Sequence, residues 1–276
     1  MSAAATFRAM HESGCFVLPN PWDVGSAVYL EHLGFKALAT TSAGVAFTRG
    51  APDSVNAVPL DPMLAHIRDI VGATSLPVNA DFLAGYADEP EGVARNVALC
   101  VATGCAGLSI EDGTGVAAAP LYPTELAVDR IRAARRAIEA SGSGVVLTGR
   151  CEAYLVGSPE PIRDALTRLP AYAAAGADCL FAPGVTKPEE IAAIVAAVAP
   201  KPVNVLMSSP SKGLSVSRLA DLGVRRISVG SALARTAWGA FIRAAQSIAE
   251  TGSFDAFADA ASFSEMERVF GRRDRR

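Results

Sequence analysis

The sequence predicts an α/β fold, a (β/α)8 barrel with extra C-terminal helices, from three observations. Eight short β-branched runs alternate with longer helical patterns. The runs are apolar almost throughout, as strands buried on both faces are. Four helical patterns run into a Gly that opens the next strand: Leu33-Gly34, Thr103-Gly104, Ala175-Gly176 and Leu222-Gly223. Gly past a helix end accepts the left-handed conformation that turns the chain back. Eight such units in about 230 residues suit one closed barrel, with a doubly wound open sheet as the runner-up.

In chain order the strands are expected at 15–19, 37–42, 76–81, 107–112, 144–150, 179–184, 202–207 and 225–230. The clearest helix is Thr124–Ser141. Its Leu126, Ile131, Ala134 and Ile138 recur at helical spacing, and Asp129, Arg130, Arg132, Arg135 and Arg136 take the rest of the circumference. The pattern returns at 161–175 and 187–199. The segment 231–276 is longer than one closing helix. It carries Phe254, Phe257, Phe263, Met266 and Phe270, which must be buried on the barrel or on a neighbouring subunit. The whole chain, 1–276, is expected as a single barrel domain, with 231–276 a helical extension used in oligomerisation.

Half of the residues are hydrophobic and 19% are charged, enough for a filled core with little disorder. A net charge of −3 supplies no positive field for nucleic acid or an anionic membrane, and neither is expected as a partner. The basic tail Arg272-Arg273-Asp274-Arg275-Arg276 reads as a solvated terminus. The five cysteines, Cys15, Cys100, Cys105, Cys151 and Cys179, form no Cys-x-x-Cys pair and sit mostly in apolar runs. Reduced thiols in a cytoplasmic protein fit that usage. Residues 1–10 hold no signal-like apolar run, and the Ala-rich stretch 191–199 is about half of a membrane span.

Chemistry in such a barrel collects at the carboxyl ends of the strands. The candidates there are Thr40-Thr41-Ser42, Asn79 and Asp81, Glu111-Asp112, Arg150 with Glu152, Asn204, and Ser208-Ser209. Acids closing two neighbouring strands could hold a hard cation through oxygen, or could only cap the following helices. Arg150 follows an apolar strand, where an unpaired cation is costly. It either bridges an acid or grips a substrate carboxylate through two bonds. The loop 112–121 is a lid over the site or a plain connection. Asp23 reads as a cap for a helix beginning near Val24. The three histidines, His11, His32 and His66, lie away from strand ends, which disfavours a His triad or a His-rich zinc site. No cysteine stands beside an activating His or Lys.

Five stretches come in an order that resembles the isocitrate lyase / phosphoenolpyruvate mutase superfamily. They are Asn20-Pro21-Trp22-Asp23-Val24-Gly25-Ser26-Ala27, Thr41-Ser42-Ala43-Gly44-Val45-Ala46, Ala80-Asp81-Phe82-Leu83-Ala84-Gly85-Tyr86, Ile110-Glu111-Asp112 and Gly149-Arg150-Cys151-Glu152-Ala153. The resemblance implies a (β/α)8 barrel with Mg²⁺, or Mn²⁺ in its place, at the carboxyl rim. It implies small α-keto or α-hydroxy carboxylate substrates, C–C or P–C bonds made or broken through an enolate-type intermediate, and homotetramers. By position, Thr41, Ser42 and Ala43 fall where the family's turn binds the substrate carboxylate; Gly44, Trp22 and Asn204 are further substrate-binding candidates. Asp81 and Glu111 match the metal acids, Asp53 the acid that reaches the metal's water shell, and Arg150 the substrate-holding Arg. Arg150 and Glu152 are the catalytic candidates.

Three departures limit the expectation. The first acid of the family's Asp-x-Asp pair is Asn79 here. The lyases' Lys-rich lid with Cys-Gly-His is replaced by Gly113-Thr114-Gly115-Val116-Ala117-Ala118-Ala119-Pro120. Pro183-Gly184 stands where some members place an acid or His. The expectation is therefore a Mg²⁺-dependent lyase or decarboxylase cleaving a C–C bond next to a carboxylate in a small di- or tricarboxylate. A mutase or hydrolase of the same superfamily, or a non-catalytic carboxylate-binding protein, are the alternatives.

Overall fold

Eight parallel strands carry the molecule, in a computed structural model that describes residues 1–55, 57–210 and 213–271. The basic tail 272–276 lies outside the described residues. The strands are β1 (Phe16–Leu18), β2 (Leu38–Ala39), β3 (Val78–Asp81), β4 (Gly107–Glu111), β5 (Val146–Arg150), β6 (Cys179–Phe181), β7 (Val203–Leu206) and β8 (Arg226–Ser228). They pair in the order β1-β8-β7-β6-β5-β4-β3-β2. At the seam, Ala39 N–H donates to Pro19 O at 3.0 Å. The result is the (β/α)8 barrel with added C-terminal helices.

Each expected strand is present, and each ladder is shorter than the apolar run that marks it. The largest difference is at 37–42. Thr41 leaves the strand and caps a short helix, α3 (Ser42–Thr48), with Thr41 Oγ1 accepting Gly44 N–H at 3.2 Å. The expected helices are α6 (Thr124–Ser141), α7 (Pro161–Ala174), α8 (Pro188–Val198) and α10 (Ala232–Thr251). Asp23 caps α2 (Val24–His32) in a reciprocal box with Ser26. The Gly residues after four helices take left-handed φ, from +86° at Gly104 to +105° at Gly176.

The helices pack their apolar sides on the outside of the barrel. On α6, Ala127, Val128, Ile131, Ala134 and Ile138 are buried. Truncating Ile131 to Ala would cost about 2–5 kcal/mol. Arg130 departs from the expected solvent face. It is buried, with its guanidinium 3.9 Å from the Tyr122 ring centroid, and it donates to the carbonyls of Ala84 and Ala87. Those loop carbonyls need a donor, and the long side chain reaches them.

Two features shape the barrel interior. Helix α1 (Ala3–Ala9) closes the amino-terminal end, where Phe7 packs with Leu18, Ala37, Ala39, Ala106 and Val146. A Cβ at Gly107 would lie 2.6 Å from the Phe7 ring, so the plug depends on glycine there. Above the plug the interior is polar. Asn79, Ser109, Thr148, Asn204, Arg226 and Ser228 are all buried, where barrels commonly place Val, Ile and Leu.

After α10 comes a 3-10 turn, Asp255–Asp259, and then α11 (Phe263–Phe270) folds back on α2, with Tyr29 hydroxyl donating to Glu265 Oε1 at 3.4 Å. Phe241, Phe254, Phe257 and Phe263 remain exposed, Phe263 at 89%. All five cysteines are free. Among the described residues no helix is long and apolar enough to cross a membrane.

Candidate active site

The tips of β3, β4 and β5 bring four charged residues together. Alternation along a strand sends residues two apart to one face, and the β4–β5 register sets Glu111 beside Arg150. Arg150 Nη1 lies 3.3 Å from Asp81 Oδ1 and 3.1 Å from Glu111 Oε2. Its Nε and Nη2 fork onto Glu152, with Nη2 to Oε2 at 3.1 Å and Nε to Oε1 shorter still. A guanidinium suits this arrangement because its planar donors serve several carboxylates at once.

The start of α3 fixes Asp81 from the other side. Asp81 Oδ2 accepts Ser42 N–H at 2.9 Å and Ser42 Oγ–H at 2.8 Å, and Asp81 N–H donates to Thr40 Oγ1. The resemblance gave Ser42 to a substrate carboxylate, and here both of its donors already serve Asp81. Gly44 N–H serves Thr41 Oγ1. Ala43 N–H is left as the donor of that first helical turn.

Glu111 and Glu152 are buried among charges of their own sign. Burial pushes the Glu111 carboxyl well above the ordinary 4.5, against the pull of Arg150. Burial likewise raises Glu152. For Arg150 burial works against the charge, and Glu111, Glu152 and Asp81 outweigh it, so the guanidinium is held charged. Asp53 is pushed up by burial and then by the Asp81 charge.

A cavity of about 380 Å³ opens beside this cluster. Asp53, Asn79, Asp81, Arg150, Asn204 and the Thr41–Ser42–Ala43 turn line it. Glu111 and Glu152 stand behind Arg150 and do not reach the wall. Gly44 and Trp22 are not on the wall either. A Cβ at Gly44 would lie 2.6 Å from Thr41 Cγ2 and 2.9 Å from Trp22 Cβ, so Trp22 packs against the back of the turn. Trp22 borders a separate cleft with Trp238 and Phe241.

Asp112 is spoken for. Its Oδ2 accepts from Tyr172 hydroxyl at 2.5 Å and from Arg168 at 3.1 Å, and its Oδ1 accepts Glu152 N–H at 2.8 Å. It therefore sets where Glu152 sits. Arg168 and Tyr172, one turn apart on α7, were not legible as site residues, and only their shared helix face hinted at it. The loop after Asp112 closes on itself through a Gly113–Leu121 bridge and meets Val55 at Gly115. It thus touches the segment that carries Asp53.

The donor set bears on a metal. Asp53, Asp81, Glu111 and Glu152 face one guanidinium, an excess of negative charge. Asn79 Oδ1 is buried with no hydrogen-bond partner, and Glu111 Oε2 faces the Arg150 guanidinium at 3.1 Å. No group of three metal-binding side chains is drawn together among the described residues. Oxygen donors, one unpartnered acceptor and loose spacing fit a hard cation held largely through water.

A model of the family described as phosphoenolpyruvate phosphomutase matches residues 7–249. The chain belongs to that family. Within its wider superfamily, the fold matches a solved lyase/mutase candidate from Burkholderia cenocepacia J2315 at 47% identity and a TM-score of 0.92, covering 97% of this chain and 95% of that one. It is 32% identical to an oxaloacetate decarboxylase of Bradyrhizobium sp. strain BTAi1, over 81% of this chain and 78% of that protein. A solved oxaloacetate acetylhydrolase in complex with its product oxalate is 28% identical, with a TM-score of 0.88, covering 99% of this chain and 96% of that one. The barrel of these solved structures is thus present here.

Proposed function

We propose that this chain is a Mg²⁺-dependent lyase or decarboxylase that breaks a C–C bond next to a carboxylate in a small α-keto or α-hydroxy di- or tricarboxylate. The observation that carries this reading is Arg150, held by Asp81, Glu111 and Glu152 on the wall of a cavity that Ala43 and Ser42 also border. The likeness to an oxaloacetate decarboxylase and an oxaloacetate acetylhydrolase supports the same substrate class.

The substrate carboxylate docks at the Ala43 N–H end of the turn. Arg150 orients the reacting end and stabilises the oxygen on which negative charge develops as the C–C bond breaks. The bonding pair passes into that enolate. Glu152, behind Arg150 and off the cavity wall, accepts from the guanidinium through both oxygens and so orients it, and the enolate carbon takes its proton from water in the cavity. Asp112 keeps Glu152 in place. A divalent cation bound through water by Asp53, Asp81 and Glu111, beside Asn79, would add Lewis-acid stabilisation of the same oxygen.

Oxalate mimics the enolate of a small keto acid and tests the reading by calorimetry. Binding that tightens with Mg²⁺ and weakens in Arg150→Lys is expected. Absence of binding to the wild type, with and without Mg²⁺, would sink the proposal.

A further inference from the structure

Below the acid cluster, the barrel interior holds a guanidinium that no carboxylate neutralises. Arg226 opens β8 and is 2% exposed. Its Nε donates to Asn204 Oδ1 at 2.9 Å and its Nη2 to Thr148 Oγ1 at 3.1 Å. Its Nη1 lies 3.5 Å from His11 Nε2. His11 Nδ1 sits 2.7 Å from Phe7 O, a contact that only an N–H can make, so Nε2 is the lone pair of a neutral ring. Burial, and then the Arg226 charge, pull the His11 pKa down to about 3, and the ring stays neutral at ordinary pH. All three partners of Arg226 are therefore uncharged. No Asp or Glu among the described residues pairs with it. An interior cation without a counter-ion is costly to keep, and proteins place one where an anion comes to meet it.

Arg226 borders the same cavity as Arg150. The depth between them follows from β5. Thr148, which Arg226 bonds, precedes Arg150 by two residues on one strand face, so Arg226 meets β5 one side-chain layer, roughly 7 Å of strand, below the residue that carries the upper guanidinium. The floor also offers a buried acceptor without a donor, Asn79 Oδ1. A ligand with negative charge at both ends of a short carbon chain and a hydroxyl between would answer both deficits.

We propose that the cavity floor is a second carboxylate subsite, in which Arg226 receives the far carboxylate of a short diacid and Asn79 Oδ1 accepts its hydroxyl. The proposal rests on the carboxylate reading of the site and adds that the substrate is a diacid, selected by Arg226. Arg226 is then a specificity-determining residue, distinct from the reacting end at Arg150.

Malate and lactate share the α-hydroxy carboxylate and differ in the second carboxylate, which makes them the probes. Calorimetry on the wild type should show malate binding about tenfold or more tightly than lactate, the scale of a hydrogen bond to a charged group. Arg226→Gln should bring malate affinity down to the lactate value and leave lactate unchanged. Arg226→Lys keeps the interior charge on a shorter, single-point donor, and it serves if the Gln variant does not fold. It should weaken malate alone. Malate binding that survives in both folded variants overturns the subsite while the carboxylate reading stands. Equal loss of malate and lactate also overturns it, because Arg226 would then shape the cavity as a whole. Failure of the wild type to bind either acid removes both this proposal and the reading beneath it.

Discussion

Replacing Arg150 separates its structural work from its chemical work. The side chain is 16% exposed and answers three carboxylates that are 6–19% exposed. Arg150→Met leaves those acids without a cation, and breaking a buried charge cluster costs about 3–5 kcal/mol. The loss should depend on pH with a definite sign. Glu111 and Glu152 already have folded pKa values above the unfolded 4.5. Their stabilising contribution is full below 4.5 and is lost as pH rises through the folded values. Removing the cation raises those values further, so the penalty of Arg150→Met is largest near pH 8 and shrinks as pH falls toward 4.5. Denaturant unfolding of wild type and variant at pH 5 and pH 8 reads this difference. Arg150→Lys keeps the charge and loses the fork on Glu152. Catalytic efficiency on the preferred acid should fall about 100-fold, or ~2.7 kcal/mol, with little change in melting temperature. An Arg150→Met protein as stable as wild type at pH 8, together with unimpaired Arg150→Lys turnover, would refute both halves of the reasoning.

Three further outcomes are expected. Glu111→Gln removes a buried charge that burial already disfavours, so it should leave the melting temperature unchanged or higher while abolishing the Mg²⁺-induced shift in melting and the turnover; a retained Mg²⁺ shift would count against Glu111 as a metal acid. Gly44→Ala drives a methyl into Thr41 and Trp22 and should destabilise the protein by about 1–3 kcal/mol in thermal unfolding, with neutrality as the adverse result. Removal of the residues after Gly252 deletes the exposed Phe254, Phe257 and Phe263, and should shift sedimentation from an oligomer, expected as a tetramer, toward smaller species; a full-length monomer at micromolar concentration would contradict that.

The barrel was legible because its strands are short apolar runs punctuated by Gly, and local chemistry alone sets that rhythm. The rim acids were legible for the same reason, since a strand end fixes where Asp81, Glu111 and Arg150 meet. What stayed hidden depends on distant contacts. Thr41 reads as the end of a strand until its hydroxyl is seen capping α3. Ser42 reads as a substrate donor until Asp81 is seen to claim it. Arg226 looks like one more charge beside Arg225, and only barrel closure turns it inward above His11. Arg130 shows the same limit from the other side, because its burial follows from loop carbonyls that helical periodicity does not contain.

The central claim is that this rim breaks a C–C bond beside a carboxylate with the help of a divalent cation. Pyruvate release from oxaloacetate, 2-methylisocitrate and phosphonopyruvate, followed with excess Mg²⁺ and again after chelation, tests it most directly. The account predicts Mg²⁺-dependent pyruvate from at least one of the two carbon acids and none from phosphonopyruvate. Pyruvate and phosphate from phosphonopyruvate alone, or undiminished turnover after chelation, would contradict it.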